Sequence, residues 1–182
     1  DCIAMGVDFL VTIGGKHIFA TSCTGFLCGK MDLVEACRLQ AFPNYGVGRT
    51  MKIGKEEIIG LITALEIYLK KDYKKERKEW SEKIHFLVSK LNELPHIEAI
   101  QTEFDEVDRP VPRARVFIDE RNMKQNIYEI VKHLKNSDPA IWVQEFSLSE
   151  GVILLNPVCL AHGEEEMIVK GFKNLWRSWS LF

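Results

Sequence analysis

No apolar run in this sequence approaches the roughly 20 residues that a membrane-spanning helix needs. The longest, Phe9 to Ile13 and Val152 to Leu155, have the length of strands. Cysteine offers no framework either. The five thiols, Cys2, Cys23, Cys28, Cys37 and Cys159, are odd in number and none is in CxxC spacing. That argues against a disulfide scaffold, and no Cys/His pair has the spacing of zinc ligands, so no metal is expected. Reduced thiols and a cytoplasmic location are the expectation. Neither sign of charge dominates: 24 Lys and Arg face 26 Asp and Glu, and the basic residues are interleaved with Glu. A nucleic-acid partner is therefore not expected. No basic segment precedes an apolar stretch at Asp1, so no secretory signal is expected. An apolar strand follows Asp1 almost at once, as though the chain began inside a domain. Repeats and low-complexity tracts are absent, and 46% hydrophobic residues over 182 positions is ordinary globular composition.

What is present alternates between strand and helix. Residues 7–13, VDFLVTI, form a continuous apolar, β-branched run, the pattern of a strand buried on both faces in a parallel sheet. Gly25 to Cys28 reads as a second strand and Met31 to Leu39 as a helix. The Pro- and Gly-rich stretch 41–54 reads as an ordered loop, with Phe42, Tyr45, Val47 and Met51 available to pack. From Glu56 the spacing of Ile58, Ile62, Leu65 and Leu69 predicts an amphipathic helix. Its apolar seam continues through Trp80, Ile84 and Leu87 toward Leu94-Pro95, with a bend expected near Asp72. Strands are expected over Ile97–Phe104 and around Ala114, Val116 and Ile118, and a helix from Met123 to Leu134. Ile141–Phe146 and Val152–Leu155 read as a hairpin across SLSEG, and a final helix carries Ile168, Phe172, Leu175, Trp176 and Trp179. The division this suggests is 1–54, a connecting helix over 55–94, and a small α+β unit over 95–182.

The unit that points to chemistry is TIGGKH, residues 12–17. A lysine at the end of a buried strand is an unusual place for a charge, and burial lowers an amine pKa. Such a lysine suits Schiff-base chemistry, and the two glycines permit a tight turn and close approach of a cofactor. A phosphate loop is disfavoured, because Leu10 stands where that motif needs its first glycine and His17 follows the lysine. A turn with a merely exposed lysine remains the bland alternative, and so does an unrelated α/β binding domain.

Beyond the turn, the segments GVDFLVTIGGKH, TGFLCGKMDLVEACRLQ and PNYGVGRTMKIGKEEIIGL resemble the selenocysteine synthase and D-glucosaminate-6-phosphate ammonia-lyase group of pyridoxal-phosphate (PLP) enzymes. VPRARVFID and EGVILLNPVCLAHGEEEMIVKGF resemble the C-terminal domain of the same group, so the likeness covers nearly the whole chain. The resemblance implies an α/β fold, the C-terminal part of a type I PLP-dependent transferase. It would comprise the end of the large parallel-sheet domain, a long connecting helix and a small α+β domain. It implies that Lys16 holds PLP as an internal aldimine and moves the substrate α-proton, with Gly14, Gly15, Thr12 and His17 beside the cofactor. It implies Arg49 as an anchor for substrate carboxylate or phosphate. Lys52 and Lys55 are weaker candidates for anionic groups, and Arg113 and Arg115 for a substrate carboxylate. The implied activity is a lyase or transferase acting on an amino acid or amino-sugar acid, in a homodimer or higher oligomer. The sequence departs from the group at Ile13, where the group has serine, and over Ile18–Ser22, where it has I-R-G-P-Q. These departures keep open a non-catalytic relative with a structural or oligomerising role.

Overall fold

Val11 and Ile13 are 65% and 54% exposed, although they lie in the most apolar run of the chain. That strand, β1 (Phe9–Ile13), pairs antiparallel with β2 (Gly25–Gly29), with Phe9 opposite Gly29 and Ile13 opposite Gly25. The expectation of a strand buried on both faces of a parallel sheet is therefore corrected. Parallel strands need a long crossover, whereas the short segment 14–24 returns the chain directly beside β1. The computed structural model describes residues 2, 4–122 and 125–179. Met123, expected to open a helix, and the side chain of Trp179 lie outside the described residues.

The chain divides into two units, Asp1–Lys71 and Asp72–Phe182. In the first, α1 (Met31–Gln40) follows β2, and Lys30 ties back to Asp8 by an ion pair and by its amide. The loop 41–54 leads to α2 (Lys55–Lys70), which has Glu56 and Glu57 in its first turn, where the helix dipole favours acids. Neither helix buries a residue, and the unit's one buried large hydrophobic side chain among the described residues is Ile18. Ile59, Ile67 and Leu69 on α2 are each more than 60% exposed.

Where a bend in one long helix is expected, near Asp72, the helix is interrupted. Asp72 accepts hydrogen bonds from the amides of Lys74 (3.0 Å) and Lys75 (3.1 Å) and so starts a new helix, α3 (Tyr73–Leu91), in the second unit. There β3 (Ile97–Thr102), β4 (Arg113–Ile118) and β5 (Val152–Leu155) form an antiparallel sheet in that order. Ala99, Ala114, Val116 and Ile153 line one face and pack with Ile84 and Leu87 of α3. Ile130 and Leu134 of α4 (Ile127–Lys135) and Phe172 and Trp176 of α5 (Glu164–Trp179) complete that core. Asn126 and Glu129 close a capping box at the start of α4. The expected hairpin is reduced to one antiparallel bridge, Gln144 to Leu154. The amide of Ile141 donates to Leu134 O at 2.8 Å and its side chain is buried in the core, which diverts the segment before it can pair further. Residues 148–150 form a 3-10 turn that ends at Gly151, with φ 75°.

Candidate active site

Gly14 continues β1 for one more hydrogen bond, its amide donating to Thr24 O at 2.8 Å. The chain then turns: Ala20 N donates to Gly14 O at 3.0 Å, and Phe19 N donates to Lys16 O at 2.9 Å. Thr24 Oγ1 donates to Thr21 O at 2.6 Å and closes the far side. A Cβ on Gly14 would collide with Thr24 Oγ1 and approach Leu61 Cδ1 at 2.9 Å; one on Gly15 would sit 2.6 Å from Ser22 Cα. The space beside both glycines is thus filled by the chain's own segment 20–24. Their small size serves the closure of the turn.

One correction concerns burial. Gly14 is buried, but Lys16 and His17 are exposed, and Ile18 alone of the next three residues points inward. The expected desolvation of Lys16 by its own strand does not occur, because β1 ends at Ile13 and the turn carries the lysine beyond it. Thr12 is half-buried opposite Phe26, and Ile13 occupies the exposed face. The structure therefore gathers Thr12, Gly14, Gly15, Lys16 and His17 on one strand end and one tight turn.

Arg49 belongs to a different local device. Its guanidinium lies 4.4 Å from the Tyr45 ring centroid and 5.4 Å from that of Phe42, and Nη1 donates to Pro43 O at 2.6 Å. Lys52 Nζ lies 5.7 Å from the same Phe42 ring. Two cations thus share one aromatic ring on an exposed loop. Lys55 is the first residue of α2 and is exposed.

The two small-unit arginines separate clearly. Arg113 is 3% exposed and pairs with Asp105 Oδ2 at 3.5 Å and Glu106 Oε1 at 3.6 Å. Burial holds its pKa below the ordinary arginine value, against the opposing pull of Glu106 and Asp105. Asp105 also accepts the amides of Arg109 (2.9 Å) and Val107 (3.1 Å) and Arg109 Nε (2.7 Å). Burial raises the Asp105 pKa, but these hydrogen bonds outweigh it, and the net direction is down. Arg113 is therefore committed to a structural cluster. Nε of each arginine is buried without a hydrogen bond, and the Arg115 guanidinium lies 5.7 Å from the Phe117 ring centroid. Sequence reasoning missed the Asp105 cluster, because Asp105 and Arg109 sit in an irregular loop before Arg113 opens β4, with no periodicity to flag them. Among the described residues no group of three His, Cys, Asp or Glu side chains could hold a metal ion, and no helix is long and apolar enough to cross a membrane.

The comparisons agree with this architecture. No family model matches the chain. It is 29% identical over 173 residues to a 5'-C-glycyluridine monooxygenase-decarboxylase of Streptomyces sp, covering 95% of this chain and 42% of that protein. It is 28% identical over 173 residues to the D-glucosaminate-6-phosphate ammonia lyase of Salmonella typhimurium, covering 95% and 44%. A solved structure of a D-glucosaminate-6-phosphate ammonia-lyase superposes with a TM-score of 0.74 at 27% identity, over 98% of this chain and 46% of that one. The fold class is thus a mixed helix-and-sheet fold similar to that of the ammonia-lyase structure. More narrowly, the likenesses fit a C-terminal portion of a PLP-dependent family. The chain spans less than half the length of the relatives it matches.

Proposed function

We propose that this chain carries the lysine-bearing part of a PLP-dependent lyase or transferase acting on an amino acid or amino-sugar acid. The observation that supports it most is the turn itself: an exposed lysine on a backbone closed from both sides, directly after a strand. When bound, PLP supplies an electron sink for the substrate α-carbon. The residues present fit one edge of such a site. Lys16 would be the residue that holds the cofactor, and its amine would serve as the base for the proton at the substrate α-carbon. The backbone hydrogen bonds of Gly14, Phe19 and Ala20 fix the turn that carries it. Arg49, held by Tyr45, Phe42 and Pro43, keeps further donors for a substrate phosphate or carboxylate. The cofactor phosphate finds no comparable donor set on the turn, and its partners would come from the region that the relatives have in addition. The wide apolar exposure of α2 and β1 supports a homodimer or higher assembly.

A second reading, a non-catalytic structural or oligomerising relative, is favoured by Ile13, which stands exposed where the group has a serine hydroxyl. The two separate on cofactor binding. The lyase reading expects PLP to give a visible absorption band with the full protein, absent in Lys16→Ala. An unchanged spectrum in Lys16→Ala would support the non-catalytic reading.

A further inference from the structure

Along α5, Met167, Lys170, Asn174 and Ser178 follow one another at helical spacing, on a stripe beside the buried face of Ile168, Phe172 and Leu175. Gly171 lies in the same stripe. A Cβ there would sit 2.2 Å from Ile141 Cδ1, so α5 comes close to the chain that leaves α4. That chain is held tightly. Ile141 N donates to Leu134 O at 2.8 Å, and Ser137 Oγ lies 2.7 Å from Leu134 O and 2.8 Å from Pro139 O. Between the two lies a groove of about 400 Å³, all of whose lining belongs to the second unit. That volume suits a small molecule. Its floor is apolar, made by the buried Leu134, Ile141 and Leu175, with Met167 half-exposed beside them. Asp138 is the one carboxylate of the lining and Lys170 the one ammonium, and they do not pair with each other. Neither they nor the side chains of Asn136 and Asn174 make a hydrogen bond or ion pair among the described residues. Lys135, in the last turn of α4, is taken up by Glu145 at 2.5 Å and is not part of the lining. Asp138 follows the C-terminal end of α4, where the helix dipole favours a cation. Lys170 and Asn174 stand one turn apart on α5. One side of the groove thus suits an ammonium group and the other an oxyanion.

We infer that this groove binds a free α-amino acid with an apolar side chain. Its ammonium group meets Asp138, its carboxylate meets Lys170 and Asn174, and its side chain lies over the apolar floor. A zwitterion gives both charges of the lining a partner at once, whereas a lone cation or anion leaves one of them without. The inference does not rest on the lyase reading, because every residue it uses lies in Asp72–Phe182 and none in the turn of Lys16.

The test is isothermal titration of the full protein with three probes: L-leucine, L-leucinamide, which lacks the carboxylate, and 4-methylpentanoate, which lacks the ammonium group. The variants are Asp138→Asn and Lys170→Gln. Both side chains are exposed and make no bond in the fold, so a melting midpoint equal to the parent's is expected and separates lost binding from a folding defect. L-leucine is expected to bind about tenfold tighter than either analogue. Each variant is expected to weaken L-leucine about fivefold. Asp138→Asn should leave 4-methylpentanoate unchanged, and Lys170→Gln should leave L-leucinamide unchanged. No binding of L-leucine, equal affinity for the three probes, or variants that bind as the parent does overturns the site. Lys16→Ala is the control. Binding kept in Lys16→Ala supports the groove, and binding lost there but kept in both groove variants overturns it. If L-leucine binds as expected while Lys16 takes no PLP, the lyase reading fails and the groove stands.

Discussion

Gly14 shows how a residue can be right for a reason its motif does not reveal. Gly14-Gly15-Lys16 reads as a cofactor approach, and Thr24, Leu61 and Ser22 occupy the space beside the glycines. Gly14→Ala must push Thr24 or Leu61 aside and is expected to cost about 2 kcal/mol, as overpacking does. A chemical melt of the full protein measures it, and an unshifted midpoint contradicts it. Asp105 was illegible for the opposite reason: an acid in an irregular loop looks solvated, yet its side chain is fully buried. Its pKa is lowered on folding, so its stabilisation is fully present above the usual carboxylate pKa and is lost as pH falls through the lowered folded value. Asp105→Asn is expected to lose about 3 kcal/mol at neutral pH, because the buried Arg113 then keeps only Glu106 as an acidic partner and Arg109 loses its 2.7 Å charged acceptor. In acid, below the folded pKa, the deficit should shrink; a deficit that is the same at pH 7 and in strong acid contradicts the assignment.

Among the elements, periodicity carried most of the helices and the alternation of β4. The seam of Ile84 and Leu87 and the inward set Ala114, Val116, Ile118 stand as the spacing indicated. Pairing did not follow from pattern. An apolar run such as FLVTI has no direction written in it, and only the short 14–24 connection makes β1 antiparallel to β2. Ile141–Phe146 has strand composition, but the buried Ile141 and the hydrogen bond to Leu134 O hold it to a single bridge. The break between α2 and α3 turns on one side chain. Asp72→Ala removes the cap on Lys74 and Lys75 and is expected to destabilise α3 by about 1 kcal/mol. Amide exchange at the first turn of α3 reads this out; protection equal to the parent's there would show that the cap is dispensable.

At the scale of the whole molecule the two units differ in completeness. Asp72–Phe182 encloses its own core, from Ile84 and Leu87 to Phe172. Asp1–Lys71 leaves Val11, Ile59, Ile67 and Leu69 mostly exposed and buries little. A fragment of residues 72–182 is therefore expected to melt cooperatively on its own, whereas residues 1–71 are expected to show no cooperative transition. Calorimetry of the two fragments decides it, and a cooperative melt of 1–71 contradicts the account. The same incompleteness explains why the site is only partly legible. The strand, turn and lysine are local and were found, but a surrounding that would desolvate Lys16 depends on chain that the longer relatives possess. The central claim, that Lys16 is the PLP lysine, is tested most directly by incubating the full protein with PLP, reducing with borohydride and mapping the label by peptide mass spectrometry. The account expects one stoichiometric adduct, on Lys16. A label absent from Lys16, or scattered over surface lysines such as Lys74, Lys75 and Lys78, would contradict it and leave the structural relative as the better reading.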